Sequence, residues 1–389
     1  MKRKTIYLHI GHGKTGTTAT QSAFSIAAEE LKKIGLFYPV DTIKSTKENC
    51  FEITGGNWKF DPNKSIERQL QDHIDSNQDF DTLILSSESL FWQIDTLLEN
   101  KQEWEHLFDL KVILAVRDVE EMLSSEYQQR IKRHGEKRPY EQFLRSRKYI
   151  SSHHKRAALV LKLLQNNNVN IDIFNYSKNK LNISEMIFKA IKASEQFPQK
   201  EMEGMIINRS LSQKELQFLT MINALYHEKY PWISTNLSDS LVTQLPNVQS
   251  QTCRISPNSR KLLYETNDFF IEEINKFLDS KQELKRLKNP ADLKEIEKRP
   301  DYTQRIKQEE AGSIQVISEA LIEALRQVNL EAVEPHQDII EDQVSFKNQT
   351  ESSDNPTKNI WNIASYFRQT KRSLIRSIRT SRHIRNQKQ

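Results

Sequence analysis

The chain has 389 residues, 37% of them hydrophobic and 28% charged, with only two cysteines, Cys50 and Cys253. Its length suits two domains, or one large domain with additions, and nine glycines with eleven prolines exclude a collagen-like or Pro/Gly-rich chain. Two cysteines exclude a disulfide framework and a four-cysteine zinc site. The net charge of +5 is uneven: Asn355 to Gln389 carries nine Lys/Arg and no acidic residue, so the remainder carries −4.

The start, Met1-Lys2-Arg3-Lys4, is basic like a signal peptide, but the apolar segment behind it runs only from Ile6 to Ile10. No apolar stretch approaches the ~20 residues that cross a bilayer, so a cytosolic protein is expected. Thr5 to Ile10 reads as a strand that ends in a glycine-bearing loop, Gly11 to Gly16. Thr17 to Gly35 follows as a helix, with Phe24, Ala27, Ala28, Leu31 and Ile34 at helical spacing and Gly35 as its stop. Phe80 to Ser87 and Lys111 to Val116 are near-continuous apolar runs, the pattern of strands buried on both faces of a parallel sheet. Asn170 to Tyr176 is a fourth strand. This alternation predicts an α/β fold, a parallel sheet between layers of helices.

After Gln199 the pattern turns helical, over Ser212 to Tyr226, Ser256 to Leu278 and Ala311 to Val328. In the second of these, Leu262, Leu263, Phe269, Phe270, Ile274, Phe277 and Leu278 are expected to pack on the sheet domain. The stretch from Ala332 to Thr357 is polar, with Pro335 and Pro356, and reads as a linker. Ile360 to Ile378 spaces apolar residues among arginines as a basic amphipathic helix suited to an anionic membrane surface; a disordered, solubilising tail is the other reading. The expected parts are thus 1–199, a helical part 200–331, a linker 332–357 and a basic tail 358–389.

Three segments carry chemistry. Gly11-His12-Gly13-Lys14-Thr15-Gly16-Thr17-Thr18 lies between a strand and a helix start, where backbone N–H groups and the helix dipole favour an anion. Lys14 adds a full charge, and Thr15, Thr17 and Thr18 add hydroxyl donors. The nucleoside-triphosphate loop G-x-x-x-x-G-K-[ST] fits at Gly13-Lys14-Thr15 but requires a glycine where Leu8 stands. Arg117 ends the strand 111–116, at the edge where open α/β sheets bind ligands, and Ser125 follows eight residues later; an ion pair of Arg117 with Asp118 or Glu121 is the other reading. Glu88 ends Leu83-Ile84-Leu85-Ser86-Ser87-Glu88, where a carboxylate can take a proton at the same edge.

These segments resemble a known family. Lys14-Thr15-Gly16-Thr17-Thr18 after a first strand resembles the 5′-phosphosulfate loop of sulfotransferases that use 3′-phosphoadenylyl sulfate (PAPS), and Arg117 with Ser125 resembles their 3′-phosphate signature. Val119 stands where proline usually follows R-N or R-D. The resemblance covers roughly residues 4 to 280 and is greatest to bacterial carbohydrate-type members. Gly35-Leu36-Phe37-Tyr38-Pro39 and Asn208-Arg209-Ser210-Leu211-Ser212 are similar to segments of that group.

The resemblance implies a P-loop-like three-layer fold, PAPS as donor, 3′-phosphoadenosine 5′-phosphate (PAP) as product, and no metal. Gly13, Lys14, Thr15, Gly16, Thr17 and Thr18 would hold the 5′ end, and Arg117 and Ser125 the 3′-phosphate. Tyr176 would stack on adenine or be a half-buried strand tyrosine. Arg209 would reach the 3′-phosphate or be a solvated arginine at a helix start. Glu88 is the expected general base, with His12 as runner-up and Glu52 third. The acceptor is expected to be a hydroxyl of a glycan, bound near Cys50 to Trp58, Trp92 and Gln128 to Arg138. The last of these stretches holds Arg130, Lys132, Arg133, His134, Lys137 and Arg138, which suit an anionic glycan or a solvated helix face. No specific nucleic acid is implied, and His153-His154 reads as surface. An ATP-dependent kinase using magnesium with Glu88 or Asp118, and a non-enzymatic adaptor acting through the tail, are the alternatives.

Overall fold

The computed structural model describes residues 3–11, 13–40, 56–58, 61, 63–76, 80–203, 209–245, 248, 252–253, 255–289 and 292. His12, Cys50, Glu52, Asn208, the expected helix 311–328, the linker and the basic tail lie outside the described residues. Residues 1–329 form one compact unit and 330–389 a second, so the helical part that follows residue 199 belongs with the sheet.

Five strands build one sheet: β1 (Lys4–His9), β2 (Leu36–Phe37), β3 (Thr82–Ser86), β4 (Phe108–Val116) and β5 (Asn170–Asn175). All pairings are parallel and the order is β2-β3-β1-β4-β5. The first helices are α1 (Thr17–Ile26), α2 (Ala28–Lys33), α3 (Ile66–Asp75), α4 (Glu88–Glu99) and α5 (Lys101–Trp104). After β4 come α6 (Val119–His134), α7 (Tyr140–Ser146) and α8 (Ser152–Asn166). Beyond β5 lie α9 (Ile183–Ala190), α10 (Gln199–Met202), α11 (Gln213–Tyr226), α12 (Ile233–Gln244) and α13 (Pro257–Asn275).

Val112 to Val116 is fully buried, as a strand covered on both faces requires. One face packs Tyr7, Ile84, Ile113 and Ala115 against Phe24 and Leu31 of the first helices and Ile187 and Phe188 of α9. Phe24 and Phe188 stack at 4.9 Å. Their strand neighbours Ile6, Leu8, Val112 and Leu114 are buried on the opposite face by the period of two.

Several expectations shift. The helix expected over 17–35 breaks at Ala27 into α1 and α2, and Gly35 ends it with a positive φ of 82°. β2 is two residues long, too short to show periodicity. Ser212 and Ser256 are N-caps, not first turns, and Ser212 forms a capping box with Glu215. In α13 the buried face is Leu263, Tyr264, Asn267, Ile271 and Ile274, whereas Leu262 and Phe269 point to solvent. Among the described residues no helix is long and apolar enough to cross a membrane.

The connections set where a ligand is held. From β1 the chain crosses to β2 on one side of the sheet, and from β4 it crosses to β5 on the other. The carboxyl ends of adjacent β1 and β4 therefore form the switch point at which open α/β sheets leave a crevice.

Candidate functional site

The loop that leaves β1 is bent by two left-handed residues, Lys14 (φ 75°) and Gly16 (φ 80°). A Cβ on Gly16 would lie 2.8 Å from Tyr176 Cε2 and 3.1 Å from Ile183 Cγ2, so glycine is required there for space as well as conformation. Gly16 is the N-cap of α1 and supplies no side-chain cap, and the first turn holds no acidic residue. The N–H groups at the start of α1 therefore present their partial positive charge without a competing carboxylate on the helix itself.

Lys14 and Arg117 meet across the switch point. Arg117 Nη1 donates to the Lys14 carbonyl at 2.8 Å, and Lys14 Nζ donates to Gln129 Oε1 at 2.5 Å. Arg117 is held further by Glu121 Oε2 at 3.3 Å and by the Tyr176 ring, 5.1 Å from the guanidinium carbon. Burial pulls the Lys14 pKa below its usual value; Glu88 opposes that, and Arg133 and Arg117 add to it.

Glu88 opens α4, whose N-cap is Ser87, and its Oε1 accepts the Thr17 hydroxyl at 2.7 Å. A Cβ on Gly13 would lie 2.8 Å from Glu88 Oε2, which places the carboxylate against the loop. Ser125 is half-buried on α6, one turn before Gln129. Thr15 and Thr17 are buried and Thr18 half-buried. The loop, Arg117, Ser125 and Glu88 thus surround one edge of the sheet. Tyr176 is half-buried there, its ring against Gly16 and Arg117.

Two expectations fail on geometry. Arg209 is neither a phosphate ligand nor solvated. Its guanidinium has five N–H donors, and they bond Leu245 O, Ser210 O, Leu241 O and both Glu215 carboxylate oxygens. None remains for an anion. His153-His154 is not surface either. His154 is fully buried, and Nε2 donates to the Arg117 carbonyl at 2.9 Å while Nδ1 accepts from Ser151 Oγ at 2.8 Å. Burial pushes its pKa to about 3, so it stays a neutral brace behind Arg117. The His153 ring packs edge-on to Trp92 at 5.7 Å and lies 3.7 Å from Glu126.

Asp118 turns away from the crevice. It caps α6 by accepting Glu120 N–H and accepts the Tyr264 hydroxyl at 3.0 Å. The basic stretch of α6 also divides. Arg130 pairs with Glu126, Arg133 with Asp239 and Arg138 with Glu136, while Lys132 is buried. Of the other expected acceptor residues, Trp92 is half exposed (47%) and Trp58 is buried. Asn57 fastens the end of β3 by accepting Ser86 N–H at 2.8 Å and donating to the Ser86 carbonyl. A separate cavity of about 640 Å³ opens among Thr5, Thr82, Lys111 and Gln196, and no cradle residue lines it.

Sequence reading missed Gln129, His154 and the buried His9. His9 Nδ1 lies 2.8 Å from Ser86 Oγ, and burial pulls its pKa to about 4. Only Gln129 had a signal, its place one helical turn beyond Ser125. Fold and site together define an α/β protein in which the Lys14 loop, Arg117 and Glu88 meet at the carboxyl edge of a parallel sheet. No family model matches the chain, and no curated protein or solved structure matches it.

Proposed function

We propose that this protein is a sulfotransferase that moves a sulfuryl group from PAPS to a hydroxyl of a glycan acceptor, releasing PAP. The observation that carries this reading is the Arg117–Lys14 carbonyl bond, because it joins at one sheet edge the two segments that resemble the donor's two anion sites. On this reading the five-stranded sheet is the P-loop-like sulfotransferase arrangement.

Lys14 and the N–H groups at the start of α1 bind the 5′-phosphosulfate, and Arg117 and Ser125 bind the 3′-phosphate. Arg117 brings a planar fork suited to phosphate, aligned by His154 behind it and Glu121 beside it. Glu88 takes the acceptor proton as the hydroxyl oxygen bonds to sulfur, and the bond from sulfur to the bridging phosphate oxygen breaks. Lys14 and the loop amides stabilise the charge that develops on that oxygen. Holding donor and acceptor in line supplies much of the rate.

The kinase alternative needs strand-end acids for magnesium, and the Asp118 carboxylate is already engaged by Tyr264 and by the start of α6. The adaptor alternative gives no reason for Lys14, Arg117, Ser125 and Glu88 to share one edge. A cytosolic enzyme, with residues 358–389 resting on the inner face of an anionic membrane, completes the proposal. Melting the protein with PAP and with magnesium-ATP tests it: stabilisation by PAP is expected, and stabilisation by magnesium-ATP alone overturns the reading. Incubating cell extract with labelled donor and identifying the labelled product then names the acceptor.

A further inference from the structure

The outer stripe of α4 begins at the crevice. Glu88, Trp92 and Thr96 are exposed at a spacing of four residues, while Leu90, Phe91 and Ile94 are buried. Residues four apart are neighbours on a helix surface, so Glu88 and Trp92 adjoin. The Glu88 carboxylate stands against Gly13 and Thr17, and Trp92 follows about 6 Å along the helix axis.

A tryptophan is usually well covered, because its ring is a large apolar surface. Trp92 is nearly half exposed, yet its ring has fixed neighbours. Fully buried Phe91 lies 5.3 Å from it and His153, from the first turn of α8, lies 5.7 Å from it, both at steep angles. Arg156 of α8 fastens α4 beneath the ring. It donates to the Phe91 carbonyl at 3.2 Å and makes two bonds of 2.9 Å to Asp95. His153 also lies 3.7 Å from Glu126, the neighbour of Ser125 on α6, and His154 beside it holds the Arg117 carbonyl. The framework that carries Trp92 is thus the one that aligns Arg117, and the ring lies one turn from Glu88.

An aromatic ring held in place before a ligand arrives loses little freedom on binding it. Its face is the negative side of the ring quadrupole and attracts the slightly positive hydrogens of C–H groups. A pyranose whose hydroxyls are all equatorial offers C–H groups on its faces and keeps its hydroxyls at the rim. Such a ring stacked on Trp92 carries rim hydroxyls toward Glu88.

We infer that Trp92 is the acceptor platform, stacking on a gluco-configured sugar unit and so selecting a glycan of that class. This rests on the sulfotransferase reading. An axial hydroxyl, as at C2 of mannose, brings a polar group to one face of the sugar and weakens the stack.

The test uses the full chain saturated with PAP and a β1,4-linked glucose tetrasaccharide, with the β1,4-linked mannose tetrasaccharide for contrast. Calorimetry is expected to show the glucose sugar binding and the mannose sugar binding more weakly. Trp92→Ala is expected to weaken the glucose sugar about tenfold or more, a difference of about 1.4 kcal/mol. Trp92→Gln repeats this should alanine fail to fold. Trp92→Phe, a smaller platform, is expected to recover most of the affinity. Sugar is also expected to change the tryptophan emission of the wild type but not of Trp92→Phe, because Trp58 and Trp104 are buried. Failure of the glucose sugar to bind, equal affinity for the two sugars, or full affinity in Trp92→Ala or Trp92→Gln overturns the inference. An emission change that persists in Trp92→Phe overturns it too, as does parallel loss of PAP affinity in Trp92→Ala and Trp92→Gln, which would make the ring structural. If the wild-type protein does not bind PAP, it is the sulfotransferase reading that falls.

Discussion

Glu88 reaches the loop from the start of a neighbouring helix, and its carboxylate accepts the Thr17 hydroxyl while facing Gly13. A glutamine there still offers Thr17 an acceptor oxygen, so the cradle persists while the basic site is lost. Glu88→Gln is expected to lower turnover about 100-fold or more with PAP affinity retained. Parallel loss of both in kinetic and binding assays would make the residue structural. Asp118 is a different kind of acid. Burial first, then Glu121 and Glu120, raise its pKa from 3.8 to about 6. A raised value means that the folded protein keeps a proton the unfolded chain has released. This contribution to stability is fully present below the unfolded pKa and is lost as pH rises through about 6. Asparagine keeps the cap and still accepts from Tyr264 without the charge. Asp118→Asn is therefore expected to be more stable than wild type at pH 8 by roughly 2–3 kcal/mol and to lose this advantage near pH 4. Denaturant unfolding at both pH values checks it, and an advantage independent of pH would dissociate the effect from this proton.

Arg209 and Glu215 act between elements. The Arg209 side chain, only 3% exposed, ties the start of α11 to carbonyls at the end of α12, and the Glu215 side chain is fully buried. Removing the arginine leaves a buried carboxylate without its ion pair, so Arg209→Met is expected to cost about 3–5 kcal/mol. PAP affinity of the folded fraction should not change; a selective loss of PAP binding at full stability would return Arg209 to the donor site. The contrast with Arg117 shows what a sequence carries at this scale. Arg117 was legible because it ends a buried parallel strand, and a strand end has only one place to be. Lys14 was legible because glycines, a lysine and hydroxyls surround a strand-to-helix turn. Arg209 sits in an irregular segment, and nothing in its local pattern says that Glu215, the adjacent Ser210 carbonyl and two distant carbonyls use every donor. His154 was obscure for the same reason, since its partner is the backbone of residue 117, 37 positions away. The α1–α2 break at Ala27 and the two-residue β2 lie below the resolution of any periodicity argument.

At the scale of the molecule, the sheet order makes the site. β1 and β4 are adjacent, their connections leave in opposite directions, and their carboxyl ends deliver Lys14 and Arg117 to one crevice. Every described residue assigned to the donor lies within the compact unit 1–329, and the basic tail lies within the other unit. The two carry separable tasks on the proposed reading. A ligand that binds only the folded protein stabilises it by about 2.7 kcal/mol at 100 times its Kd, which for a unit of this size raises Tm by about 4 °C. A chain ending at Asn329 is expected to keep that PAP response in a melting assay. The full chain is expected to sediment with vesicles containing phosphatidylserine and to be released by salt, because nine Lys/Arg without an acidic residue meet an anionic surface. The shortened chain should remain in solution. Sedimentation of the shortened chain would move membrane attachment onto the sheet unit, and loss of its PAP response would show that the cradle depends on the tail.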